Sequence, residues 1–84
     1  MLAKPRPYHT LIARVESLGC PWGPEFGDYN LQTVKDERAE YRKMGYKASE
    51  LRIITTANSA NAIRDAVREI NRKAGLFSEH SEFC

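Results

Sequence analysis

Three side chains could supply a nucleophilic catalytic site, namely Cys20, His9 and Asp28. A catalytic thiol needs a nearby histidine as its base and a third group that orients that histidine. Nothing in the spacing brings the three together, because His9 falls in a strand-like run and Cys20 falls in a turn. We therefore predict that the protein is not an enzyme.

Metal and phosphate chemistry have no matching motif either. The two histidines and two cysteines occur in neither Cys-x-x-Cys nor His-x-x-x-His spacing. Gly23 and Gly27 fit neither of the glycine-rich loops that bind phosphate. Glu25 and Asp28 are better explained as a solvated loop charge and a helix cap than as a catalytic pair. We expect no metal and no cofactor.

A row of arginines gives the most regular pattern of charge. Arg64, Arg68 and Arg72 are spaced four apart, so they share one side of the helix predicted there, and Lys73 adjoins them. Such a row suits phosphates or an acidic protein surface. Two acidic residues within one helical turn of these arginines can form ion pairs with them and so neutralise part of the positive charge of the row. The row makes nucleic-acid binding the alternative function.

Aromatic residues cluster in the segment Trp-Gly-Pro-Glu-Phe-Gly-Asp-Tyr, from Trp22 to Tyr29. Rings beside glycine and proline are typical of a short strand and tight turn that close one end of a small core. The same rings could instead face outward, as the aromatic anchors of interfaces do. The sequence leaves both interpretations open.

Size and composition predict one small soluble domain. With 84 residues the chain has room for a single modest core. Apolar residues are 42% and charged residues 29%, which indicates a folded rather than a disordered chain. The net charge of +2 is too small to require a nucleic-acid partner. Without a membrane-spanning run or a secretion signal, we expect a cytoplasmic protein with free thiols at Cys20 and Cys84.

Hydrophobic periodicity predicts the element order β-β-α-β-α. The predicted strands are 8–15, 22–26 and 51–56, and the predicted helices run from Asp28 or Asn30 to Gly45 and from Thr56 or Asn58 to Ala74. Residues 1–7 are expected to be an extended lead-in, 8–76 the domain and 77–84 a flexible tail. The second helix has the strongest period, with apolar residues every three or four positions.

These elements predict an α+β fold, a two-layer sandwich with two helices on one face of a three-stranded sheet. Odd-numbered residues of the first strand, such as Leu11, are expected to face the helices. The other face carries Ile12 and Ile54 between Arg14 and Arg52. We expect that face to be a docking or dimerisation surface unless the lead-in or the tail covers it. The protein is accordingly expected to be a monomer or a homodimer.

Three stretches resemble a group of small, mostly uncharacterised accessory proteins of bacteriophages and prophages. They are the aromatic segment, the helical Val-Lys-Asp-Glu-Arg from Val34 and the strand Leu-Arg-Ile-Ile-Thr-Thr from Leu51. The likeness covers about residues 8–72, and Phe-Gly-Asp-Tyr at 26–29 is its sharpest part. The resemblance implies a protein that works by binding; phage proteins of this size include inhibitors of host machinery and of host defence, anti-CRISPR proteins among them.

We therefore expect a non-catalytic binding module that docks on a host or defence-system protein and inhibits or redirects it. The expected protein-binding residues are Trp22, Glu25, Phe26, Tyr29, Arg14 and Arg52. The alternative is a small nucleic-acid-binding protein that uses Arg64, Arg68, Arg72 and Lys73. No membrane partner is expected.

Overall fold

The computed structural model describes residues 6–76, which follow the predicted order β-β-α-β-α. The strands are β1 (Tyr8–Ala13), β2 (Gly23–Asp28) and β3 (Leu51–Thr56), and the helices are α1 (Leu31–Lys43) and α2 (Ala60–Lys73). The predicted α+β class, with a three-stranded sheet and two helices, is confirmed. The lead-in up to residue 5 and the predicted tail, 77–84, lie outside the described residues.

β1 is the central strand of an antiparallel sheet with the order β2-β1-β3. β1 and β2 form a hairpin in which Leu11 lies opposite Phe26, whereas Ile12 lies opposite Pro24. Glu25 is therefore an extra residue on β2, and it forms a β-bulge. Both β2 and β3 are edge strands.

One face of the sheet packs against α1. Its buried residues are Leu11, Ala13, Val34 and Leu51, and Phe26, Tyr41, Tyr46 and Ile53 pack against them. Within α1 only Val34 is buried. Leu31 and Met44, which belong to the apolar period of this helix, are 38% and 66% exposed. The core on this side is therefore made mainly by the sheet and the tyrosines.

The second face of the sheet packs against α2, so the prediction that both helices lie on one face is wrong. Ile12, Ile54 and Val67 form a second buried cluster, against which Trp22, Ile63, Ala66 and Ile70 pack. Ile12 is fully buried and Ile54 is 8% exposed, so these isoleucines are not an open docking surface. The physical reason is that β1 carries apolar side chains on both faces of the sheet. A helix must pack on each face to remove those side chains from water. The arrangement is helix, sheet, helix.

Side-chain caps fix where the helices begin. Asn30 caps α1, because its Oδ1 accepts the N–H groups of Gln32 (2.9 Å) and Thr33 (3.3 Å). Ser59 caps α2, because its Oγ accepts the N–H of Ala62 at 3.0 Å. The predicted start of α1 at Asn30 is confirmed, whereas the predicted starts of α2 at Thr56 or Asn58 are wrong.

Both helices end in the same hydrogen-bonded motif. Gly45 and Gly75 have positive φ angles of 111° and 70°, which favour glycine. The residue after each glycine donates its N–H to a carbonyl five positions earlier, Tyr46 to Tyr41 and Leu76 to Asn71. The predicted helix ends at Gly45 and Ala74 are confirmed.

Cys20 is buried at the end of the hairpin and is disulfide-bonded, so the prediction of a free thiol there is wrong. The second cysteine, Cys84, lies outside the described residues. Within residues 6–76 no helix is both long and apolar enough to span a bilayer.

Candidate binding site

A groove of about 840 Å³ lies between α2 and the sheet face that this helix covers. β1 and β2 supply one wall, and α2 supplies the other. Tyr8, Ile63, Val67 and Leu76 make much of the lining apolar. Both the volume and the apolar lining are typical of ligand-binding clefts, in which a few polar groups provide specificity.

Tyr8 forms one end of the groove and is held in place by its neighbours. A Cβ atom at Gly27 would lie 2.5 Å from the Tyr8 Oη atom, so only glycine allows the ring to lie this close to β2. The ring meets Tyr29 edge-on, with 5.1 Å between centroids. Tyr29 in turn accepts a hydrogen bond from Asn58 at 2.6 Å and carries the Arg6 guanidinium 4.5 Å above its ring.

Thr10 lies in the groove lining beneath these side chains. It is only 3% exposed, and its Oγ1 atom has no hydrogen-bond partner among the described residues. Buried hydroxyls are normally paired, because burial without a partner costs free energy. Within residues 6–76 the Thr10 hydroxyl is therefore a buried polar group whose desolvation no hydrogen bond offsets.

Arg64, Arg68 and Arg72 line the α2 side of the groove. Arg72 donates to both carboxylate oxygens of Glu69, with Nε 2.9 Å from Oε2 and Nη2 2.5 Å from Oε1. This pairing raises the pKa of Arg72 and lowers the pKa of Glu69. Arg64 lies 3.8 Å from the Asp65 carboxylate, a long contact. The side chain of Arg68, at the centre of the row, forms no ion pair or hydrogen bond within residues 6–76.

Lys73, the fourth basic residue of this set, does not line the groove. Its Nζ lies 4.0 Å from Glu69 Oε1, and both side chains are well exposed. Glu69 thus compensates charge at the C-terminal end of the row and leaves the centre uncompensated.

The structure separates the predicted aromatic contact set. Trp22 packs in the core on the α2 side, and Asn71 accepts its N–H at 2.7 Å and donates to its carbonyl at 3.0 Å. Phe26 borders the groove but packs against the core on the α1 side. Tyr29 is 38% exposed and supports Tyr8 rather than lining the groove. These rings do not form one continuous surface.

Glu25 lies at the sheet edge. As the bulge residue of β2 it borders the groove. Burial raises the pKa of Tyr41 on the α1 side, and the negative charge of Glu25 raises it further. The Glu25 carboxylate is therefore near enough to affect a ring on the opposite face from the groove.

The two predicted contact arginines lie away from the groove. Arg14 is half-buried, and its Nε donates to the Cys20 carbonyl at 2.8 Å, so it braces the hairpin loop. Arg52 is exposed on edge strand β3, in register with Ile12. Their role in protein binding stays a prediction.

The three candidate catalytic side chains do not come together. His9 lies opposite Asp28 at one end of β1, and its Nδ1 is 2.9 Å from the Thr55 hydroxyl. The Cys20 N–H bonds the Val15 carbonyl, beyond the other end of β1. His9 and Val15 are separated by roughly 20 Å of extended chain, which is too far for proton transfer. Nor does any cluster of three His, Cys, Asp or Glu residues within 6–76 have the geometry to hold a metal ion.

The sequence revealed the arginine row but not the sheet side of the groove, where Tyr8 and Thr10 lie. Both lie on the face that was expected to be open. The available signal was the apolar character of Ile12 and Ile54, which indicated a covering helix on that face.

Comparison of the chain with protein-family models, with curated proteins and with solved structures gives no significant match. The resemblance to small phage accessory proteins therefore stays a prediction.

Proposed function

We propose that the protein is a non-catalytic binding module that docks on a partner protein through the groove beside α2 and thereby inhibits or redirects it. The observation that carries the proposal is the joint presence of an apolar lining and an arginine row in one groove. The resemblance noted above adds the expectation that the partner is a host or defence-system protein.

The groove favours a protein over a nucleic acid. Arg72 is already engaged by Glu69, and the lining between the arginines and the sheet is largely apolar. Sequence-independent nucleic-acid sites combine many uncompensated cations with stacking rings along the strand path. Here Arg68 is the member of the row whose side chain has no ion pair within residues 6–76.

The proposal is tested by affinity capture from bacterial lysate with the tagged protein, followed by binding measurements on the purified captured protein. We expect a stoichiometric protein that survives nuclease treatment and binds wild type. Arg68→Glu should weaken that binding at least about tenfold, because it reverses the charge at the centre of the row.

Lys35→Glu is the matched control for Arg68→Glu. It makes the same change in net charge on the exposed surface of α1, which covers the opposite sheet face. Equal weakening by the two variants would refute docking at the groove. Recovery of material that is lost on nuclease treatment would replace the proposal with the nucleic-acid alternative.

A further inference from the structure

The spacing of the arginine row specifies the spacing of a complementary row of acids. Arg64, Arg68 and Arg72 stand on successive turns of α2, so neighbouring members are about 6 Å apart along the helix axis. Acidic residues four apart on a second helix repeat at the same distance. A helix that lies along α2 can therefore place one carboxylate against each arginine in turn.

The three arginines differ in how far they are already paired with acidic residues. This difference decides at which arginine a partner's carboxylate gains the most binding free energy. Arg72 already holds Glu69 through two hydrogen bonds. Arg64 has only its long contact with Asp65, and Arg68 is unpaired within the described part of the chain. An incoming carboxylate gains a new ion pair at Arg68, whereas at Arg72 it must compete with Glu69.

The groove beside the row provides the apolar half of the site. Tyr8, Ile63 and Leu76 in the lining are half-buried and leave apolar surface for a partner, whereas Val67 is already buried in the core. A partner helix with one apolar stripe beside an acidic flank would fill this space. Thr10, which is 3% exposed and whose hydroxyl has no hydrogen-bond partner among the described residues, also belongs to the lining.

An extended partner strand suits this groove less well than a helix. A strand would have to pair with the free edge of β2, and that edge carries the bulge at Glu25 and the exposed Pro24. Bulges and prolines on an edge strand oppose the addition of another strand.

We infer that the groove receives an acidic amphipathic helix of the partner protein, with carboxylates spaced four apart against Arg64 and Arg68 and apolar side chains against Ile63 and Leu76. The inference rests on the proposed function and names the chemistry of the partner segment. It assigns Arg68 as the central electrostatic contact.

A pair of synthetic helical peptides tests the inference. Both have about 18 residues with leucines along one stripe; one carries glutamates at every fourth position of the flank, and the other carries lysines there. Fluorescence anisotropy should show that the acidic peptide binds at least about tenfold more tightly than the basic peptide. Binding of the acidic peptide should weaken as salt rises.

Three variants of the protein locate the peptide. Arg68→Glu should weaken binding of the acidic peptide about tenfold or more, Arg72→Glu should weaken it less, and Lys35→Glu should leave it almost unchanged. Circular dichroism and thermal melting check that each variant is folded. Binding that is indifferent to Arg68→Glu, or a basic peptide that binds as well as the acidic one, overturns the inference.

The test separates this inference from the proposed function. A captured partner that is sensitive to Arg68→Glu, but is not displaced by the acidic peptide, would uphold docking at the groove and overturn the acidic helix. A peptide that binds as expected, with no protein partner recovered, would uphold the chemistry of the groove and overturn the function as a protein-docking module.

Discussion

Thr10 and Glu50 are both buried polar residues, but only Glu50 is fully engaged with the protein. Glu50 is 6% exposed and accepts the N–H groups of Lys47 at 2.8 Å and Glu16 at 2.7 Å. It therefore ties the loop after β1 to the turn before β3. Thr10 has no such partner within residues 6–76, so burial of its hydroxyl opposes folding there.

Replacing Thr10 with valine should raise the stability of the protein. Thr10→Val removes a buried hydroxyl that has no hydrogen-bond partner within residues 6–76, with little change of shape, so the free energy of unfolding should rise by about 1 kcal/mol. Urea denaturation measures this change. A loss of stability instead would show that the hydroxyl is satisfied in solution.

Glu50 should make stability depend on acid pH. The two backbone N–H groups stabilise its charged form and lower its pKa, with smaller contributions from the charges of Lys47 and Arg14. A lowered native pKa contributes stability above the ordinary glutamate value of about 4.3, and that contribution is lost as the pH falls towards the native pKa.

The Glu50→Gln variant should accordingly melt several degrees below wild type at pH 7, and the difference should shrink at pH 3. Thermal unfolding followed by circular dichroism checks both values. Glu25→Gln, at an exposed position, is the control and should melt like wild type. A difference that stayed constant between pH 7 and pH 3 would mean that charge is not the cause.

The role of Glu50 was not predictable from the sequence, because it lies between the predicted helix end at Gly45 and the predicted strand 51–56. Its partners are two backbone N–H groups, one of them 34 positions earlier in the chain. A hydrogen bond to backbone carries no signature in residue types, unlike the four-residue spacing of the arginines. Sequence therefore revealed the arginine row but not the buried acid or the Thr10 hydroxyl.

At the scale of elements, local chemistry predicted the segments well. The strand from Leu51 to Thr56 and the helix ends at Gly45 and Gly75 were identified because β-branched residues and glycines act through their immediate neighbours. The start of α2 was misplaced, because Thr56, Asn58 and Ser59 are all acceptable caps. The Thr56 hydroxyl instead donates to the Ala57 carbonyl.

The cap of α1 should contribute measurably to stability. Asn30→Ala removes the side chain that accepts two N–H groups of the first turn, so the free energy of unfolding should fall by about 1 kcal/mol. Asn30→Asp keeps an acceptor there and should be nearly neutral. Urea denaturation of the two variants gives the comparison, and equal losses would point to a cause other than capping.

At the scale of the whole molecule, the sequence did not reveal that helices cover both faces of the sheet. Periodicity identifies which residues of a helix are apolar but not which face of the sheet they meet. Ile12 and Ile54 were correctly assigned to the face opposite Leu11, yet that face proved to be covered by α2. The groove lies along this packing, so the site could not be assembled until the side of α2 was known.

Truncation of core residues should show the two-sided packing directly. Ile12→Ala should lower the free energy of unfolding by roughly 2–5 kcal/mol, as expected for a fully buried isoleucine. Leu11→Ala, on the α1 face, should have an effect of the same order. If the Ile12 face were open, Ile12→Ala would cost far less than Leu11→Ala.

The position of β1 between β2 and β3 also affects how the chain folds. β1 can form its hairpin with β2 early, because the two strands are close in sequence. Its other edge must wait for β3, since Tyr8 pairs with Thr56 and Ala13 with Leu51, roughly forty residues away. On the ribosome, the earliest strand therefore keeps one edge and one apolar face uncovered until the last strand and α2 have emerged. Until this long-range pairing forms, the uncovered edge and apolar face of β1 favour aggregation of the nascent chain.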